Sequence, residues 1–249
     1  MRDFTVSSFR LLLQELINSG YAFLPVCDFR DDLPGKTIVL RHDVDARKLN
    51  SLRFARIEHE LGLKTTYYFR IVPQSFDAGV ISEIAAMGHE IGYHYEDLGL
   101  AKGDPAKAVE LFRKHLEEFR KICPITTICM HGSPLSKYDN RDLWETYNYR
   151  DYGITCEPYF DIDYSKVFYL TDTGRTWDNS GISVRDKVNS ASGPVFRSTS
   201  DIIRSINKLP DKVMFTFHPQ RWDDALIPWL RELVMQNLKN VVKKRIVGR

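Results

Sequence analysis

The chain has 249 residues, with 35 Lys and Arg against 33 Asp and Glu and a formal charge of +2. That balance creates no field able to hold a phosphate backbone, which excludes nucleic acid as a partner. Hydrophobic and charged shares of 43% and 27% are those of an ordinary globular protein, and the length suits one large core, so a single domain over 1–249 is expected.

Met1 to Phe23 carries scattered charge and no unbroken apolar run. It lacks the core of a secretory signal and the length of a membrane span, so the expected location is cytoplasmic, with no membrane partner. Within it Phe9, Leu12, Leu13, Leu16 and Ile17 repeat at helical spacing before an Asn18-Ser19-Gly20 stop, predicting an amphipathic helix in an N-terminal cap over 1–36. A polar turn through Asp31, Asp32, Pro34 and Gly35 leads to Thr37-Ile38-Val39-Leu40, a buried strand that delivers Arg41-His42-Asp43-Val44-Asp45. Helix is expected from Ala46 to Leu61, strand from Thr65 to Ile71, helix from Ala78 to Met87 up to Gly88, and a short strand from Glu90 to His94. Val109, Phe112, Leu116 and Phe119 form an apolar stripe for a helix from about Pro105 to Lys121, and Thr126 to Met130 is the next strand. Tyr138 to Ser198, including Val167-Phe168-Tyr169-Leu170, fits strands and long loops equally well. A helix from Thr199 to about Asn207 follows, then the strand Val213 to Phe217. The site-bearing core thus spans 37–222, and a C-terminal segment 223–249 holds a closing helix carrying Ile227, Leu230, Val234, Leu238 and Val241.

Strands alternating with helices argue for a parallel sheet covered by helices, most often a closed β/α barrel. An open doubly wound sheet is the alternative, but no phosphate-binding glycine loop accompanies any strand. Cys27, Cys123, Cys129 and Cys156 contain no Cys-x-x-Cys pair and are expected to be reduced and structural.

Four strands end in the same vocabulary: Leu40 runs into Arg41 to Asp45, Tyr93 into His94, Met130 into His131 and Phe217 into His218. In a β/α barrel the carboxyl ends of the strands converge on one face. Alternation puts Asp43 and Asp45 on one side of their strand, a pair suited to a base and a metal ligand. An isolated pair of this kind more often caps the next helix, but its convergence with three strand-end histidines reverses that preference. The same alternation separates His89, read as a structural turn residue, from His94; His59 and His115 sit in helical patterns as ordinary surface or boundary residues.

These residues resemble the polysaccharide deacetylases with NodB homology, carbohydrate esterase family 4, over roughly Ile38 to Trp222. Gly88-His89-Glu90-Ile91-Gly92-Tyr93-His94 is similar to the family segment whose last His binds a divalent metal. Asp43-Val44-Asp45 is similar to its paired-aspartate motif, and Phe217-His218-Pro219 to its late strand. The resemblance implies a distorted β/α barrel, Asp43 as general base, Asp45 and His94 as metal ligands and His218 as general acid. It also implies a divalent metal, zinc first with cobalt or nickel as alternatives, and a carbohydrate substrate.

Three departures stand out. The family's second metal His would fall at Leu98, so Glu96, Asp97 or His131 must replace it, and His131 is favoured. The family's Arg-Pro motif, whose Arg orients the base, is replaced by His131-Gly132-Ser133-Pro134. Arg41, two residues before Asp43, either takes over that pairing or is a simple surface cation. Pro219-Gln220-Arg221-Trp222 also follows the acid with an unusually bulky turn.

The expected activity is hydrolysis of an N-acetyl group from an amino sugar or glycan, with a bell-shaped pH profile. Tyr95, Trp177 and Trp222 are candidate sugar-stacking walls, or else core, and Arg175 and Arg221 candidate anion contacts, or else solvated cations. Two other readings stay open: a non-catalytic saccharide binder whose metal site is degraded at Leu98, and a hydrolase of a small non-glycan amide.

Overall fold

The computed structural model describes residues 2–30, 32–33, 35–132, 136–177 and 188–247, with side chains as far as 241. Helix α1 (Val6–Asn18) opens the chain, where Thr5 and Ser8 close a reciprocal capping box. Strand β1 (Ala22–Leu24), which the sequence pattern does not predict, is followed by β2 (Thr37–Val44) and α2 (Lys48–Glu60). Then come β3 (Thr66–Phe69), α3 (Ala78–Ala86) capped by Asp77, β4 (Glu90–Tyr95), the short α4 (Asp97–Leu100), and α5 (Pro105–Arg120) capped by Asp104 with Pro105 in its first turn. After β5 (Ile128–Met130), the ambiguous segment supplies α6 (Leu143–Thr146), α7 (Pro158–Asp161) and β6 (Phe168–Thr171). The chain ends with α8 (Thr199–Arg204), β7 (Lys212–Phe217) and α9 (Leu226–Val247).

All the strand pairs are parallel, in the order β5-β4-β3-β2-β7-β6, with β1 beside the first half of β2 and β3 beside its second half. The sheet curls into a half-barrel flanked by helices; among the described residues nothing pairs β5 with β6. Parallel strands need covering on both faces, and every residue of β2 is buried.

The period of two then sorts the side chains. Ile38, Leu40 and Val44 of β2, Tyr67 and Phe69 of β3, Ile91, Tyr93 and Tyr95 of β4 and Phe215 and Phe217 of β7 join the large core under the helices. There Phe9 stacks on Phe54 at 3.8 Å between ring centres, and His42 lies flat on Tyr67 at 4.1 Å. Val39, Tyr68, Cys129, Tyr169 and Met214 form a second core inside the curl. Gly92 of β4 is required there, because a Cβ would lie 2.2 Å from the Tyr68 ring. Arg41, Asp43 and His94 share this inner side, and their places late in β2 and β4 put them at its carboxyl end.

Helix α9 turns its apolar stripe outward. Its inward face holds Gln236 and Asn240, both buried, while Ile227, Leu230, Val234, Leu238 and Val241 face solvent. No helix among the described residues is long and apolar enough to cross a membrane.

Candidate active site

Arg41 and Asp43 are fixed first. Arg41 is fully buried and grips Asp43 with a two-pronged bond, Nε to Oδ1 at 3.1 Å and Nη2 to Oδ2 at 3.0 Å. Tyr159 accepts a third bond from Arg41 at 3.1 Å and places its ring 5.2 Å from the guanidinium. Burial alone pushes the Asp43 carboxyl up, but the charge of Arg41, followed by His94 and His218, outweighs it and holds Asp43 below its ordinary value.

Asp45 lies just past the end of β2, where three imidazoles converge on it. Its Oδ1 is 3.6 Å from His94 Nε2 and 3.6 Å from His131 Nε2, and its Oδ2 is 4.0 Å from His218 Nε2. Oδ2 accepts a bond from Gln220 at 3.0 Å, but the buried Oδ1 has no hydrogen-bond partner. Burial opposes ionisation of Asp45, yet the adjacent His94 imidazole, followed by the charges of His131 and His218, holds it well below the usual carboxylate range.

Each histidine is aimed by what its other nitrogen does. His94 Nδ1 donates to the Cys129 carbonyl at 2.9 Å, so Nε2 turns toward the two carboxylates. His131 Nδ1 bonds Glu96 at 3.0 Å, and Arg70 clamps both Glu96 oxygens, the nearer at 2.7 Å. Burial raises the Glu96 carboxyl, but His131 and Arg70 together bring it down to about 2. His218 Nδ1 donates to Asp172 at 2.6 Å, and the same carboxylate accepts from the His218 backbone, Arg221 and Trp222 Nε1. Arg221 and His218 Nδ1 both donate to Asp172, so their own 3.0 Å approach is not a hydrogen bond.

The structure therefore brings Asp43, Asp45, His94, His131 and His218 together, with Arg41 behind Asp43. It separates the other candidates from them. Asp97 is buried in the helix layer against Tyr93 and His115, and Leu98 is core. Ser133 and Pro134, read as replacing the Arg-Pro motif, lie outside the described residues.

The expected binding walls are corrected to supports, because their faces are covered by protein. Tyr95 is fully buried against Phe112 and Trp144, on the helix side of β4. Trp177 packs among Phe4, Phe217 and Trp222 and donates to Thr199, leaving no face for a sugar. Trp222 and Arg221 both hold Asp172. Arg175 donates to the Arg221 carbonyl and lies over Phe4 and Trp229. The remaining three histidines are structural: His89 bonds Ala55 on α2, His42 faces Glu58 at 3.0 Å in the helix layer, and His59 bonds the Met87 carbonyl at 3.1 Å.

Asp172, Gln220, Arg70 and Tyr159 belong to the site without having been assigned to it from sequence, and Glu96, named there as an alternative ligand, instead orients His131. Asp172 carried a usable signal, since it ends the apolar run Val167 to Leu170 as Asp43 ends its own. The others act across the fold and leave no local pattern.

Among the described residues one grouping of ligand atoms is mutually close, and a second set, Asp45, His94 and His131, is joined through Asp45 Oδ1. Asp43, His94 and Cys129 offer atoms all within 4.8 Å of one another. In that grouping Asp43 is already neutralised by Arg41, whose fixed charge repels a second cation. In the set Asp45, His94 and His131, the neighbouring Arg70 is paired with Glu96, not with Asp45's carboxylate, and the unpartnered Asp45 Oδ1 faces both imidazole nitrogens. Nitrogen and oxygen ligands about 2.0–2.2 Å from a tetrahedral ion stand roughly 3.4 Å apart, close to both separations from Oδ1.

No protein-family model matches the sequence, and no curated protein matches it. In structure the chain is similar to a family 4 carbohydrate esterase from Bacillus anthracis, with 12% identity, a TM-score of 0.46, and coverage of 92% of this chain and 84% of that one. It is also similar to the Xyl-CE4 domain of a multidomain xylanase from the hindgut metagenome of Trinervitermes trinervoides, with 12% identity, a TM-score of 0.41, and coverage of 86% and 92%.

Proposed function

We propose that this chain is a divergent polysaccharide-deacetylase-type hydrolase that removes the acetyl group from an N-acetylated amino sugar, using a divalent ion held by Asp45, His94 and His131. The observation that carries the reading is the buried Asp45 Oδ1, which has no hydrogen-bond partner and stands 3.6 Å from an imidazole nitrogen of each histidine. When bound, a zinc-like ion supplies Lewis acidity, polarising an acyl carbonyl and lowering the pKa of a water to roughly 7.

The chain's own residues then divide the proton work. Asp43, kept ionised by Arg41, accepts a proton from the attacking water. The Arg41 fork fixes which carboxylate edge faces the site, as an orienting donor must. His218 holds its Nδ1 proton on Asp172, so Nε2 is the atom that hands a proton to the departing nitrogen. The water oxygen bonds to the carbonyl carbon, the amide C–N bond breaks, and acetate and a free amine leave.

The test is metal content and acetate release measured together. Purified protein should hold one equivalent of zinc, cobalt or nickel, lost in His94→Ala and His131→Ala, and should release acetate from N-acetylglucosamine oligomers. A protein that binds no ion at micromolar metal overturns the reading and favours a saccharide binder. Ammonia or acetate released only from small non-glycan amides overturns the substrate assignment.

A further inference from the structure

We infer that the outer face of α9 is a self-association surface, on which the same helix of a second copy packs antiparallel about a two-fold axis at Val234.

The roll of α9 is fixed by polar contacts on its inner side. Trp229 donates to the Asp3 carbonyl at 2.7 Å, Asn240 to the Gly174 carbonyl at 2.9 Å, and Gln236 to Asn240 at 2.8 Å. At helical spacing these three residues share one side, and Ile227, Leu230, Val234, Leu238 and Val241 share the opposite one. Those five side chains are 80%, 43%, 56%, 59% and 51% exposed, flanked by Leu226 and Met235 at 55% and 46%. A surface helix normally turns its apolar stripe inward, so an inverted one marks an interface. The stripe offers apolar area on the order of 500 Å² per copy, which puts a pair near the roughly 1,000 Å² total of a weak specific interface.

The spacing identifies the occupant. Ile227 and Val241 lie seven residues either side of Val234, and Leu230 and Leu238 lie four either side. A face symmetric about its own midpoint is complementary to itself when reversed: Ile227 meets Val241, Leu230 meets Leu238, and Val234 meets its own copy. Charge agrees with that direction, because the exposed Arg231 flanks the stripe and a parallel pair would set it against its own copy, like charge on like, whereas reversal does not.

Sedimentation equilibrium of the full chain from about 1 to 200 µM should show a monomer–dimer equilibrium, and Val234→Glu should weaken it at least about tenfold. Val234→Glu should leave the thermal midpoint of dilute protein unchanged, because the side chain is exposed. Orientation is read by oxidation: Val234→Cys should cross-link with itself above the parental background, Ile227→Cys alone should not, and Ile227→Cys with Val241→Cys should. A chain monomeric throughout the range, a self-linking Ile227→Cys, or a monomer that co-floats with anionic vesicles overturns the inference.

Discussion

Asp43 and Asp45 stand two residues apart on one strand end and sit in different environments because their neighbours differ. Asp43 is filled by the Arg41 fork, whereas Asp45 keeps one buried oxygen without a partner, facing imidazoles. Lysine cannot reproduce that fork, so Arg41→Lys should lower kcat at least about tenfold while metal stoichiometry stays at one, checked by steady-state kinetics alongside metal analysis. Asp172 bonds His218 Nδ1 and so fixes the tautomer of the residue proposed as general acid. Asp172→Asn should cut kcat by about 10²–10³-fold with metal content unchanged, and a loss of bound metal instead would mean that Asp172 supports the ion seat. Glu96 fixes His131 in the same way, and Glu96→Gln should weaken metal affinity about tenfold in a calorimetric titration, the usual size of an effect transmitted through a ligand's partner.

At the scale of elements, two close fits hold the inner core against the strands. Gly92→Ala would drive a methyl group into the Tyr68 ring at 2.2 Å, with the Thr127 carbonyl behind it at 3.0 Å. Its expected effect is about 1–3 kcal/mol of lost stability in urea unfolding, the range for overpacking a filled core. Glu157, at the start of α7, accepts from the backbone of Met130 on β5 at 3.0 Å and of Tyr159 at 2.6 Å. Burial pushes its carboxyl up to about 7. The fold therefore favours the protonated acid: this contribution is complete below the unfolded value near 4.5 and is lost as pH rises to 7. Stability should drop by about 3 kcal/mol across that window from this group, and Glu157→Gln should flatten the profile of unfolding midpoint against pH. These elements were unevenly legible. The strands β2, β3, β4 and β7 follow from runs of β-branched and aromatic residues, because a strand buried on both faces must be apolar along its length. The stretch from Tyr138 to Ser198 did not resolve, since α6, α7 and β6 are each four residues long and take their shape from contacts with other elements.

In the whole molecule, the seven-stranded sheet turns a one-dimensional repetition into a shared site, because parallel strands present their carboxyl ends on the same side. Removing the ion should be felt globally: at a metal concentration 100-fold above Kd, binding contributes about 2.7 kcal/mol, so chelation should lower the melting temperature of the parent chain but not of His94→Ala. What the sequence alone determined is the strand-end grammar, with charged and histidine residues breaking off apolar runs at Asp43, Asp45, His94, His131 and His218. That is a local property, set by alternation and chain chemistry. Only the tertiary structure decided which aromatic and basic residues support the site and which face it. Trp177, Trp222, Arg175 and Arg221 read like ligand contacts beside polar loops, yet they are covered by packing partners far away in sequence. It also decided that α9 turns its apolar stripe outward. A helix's amphipathic pattern states that one face is apolar, but the partner of that face is chosen by packing, and here Asn240 and Trp229 hold the polar side inward.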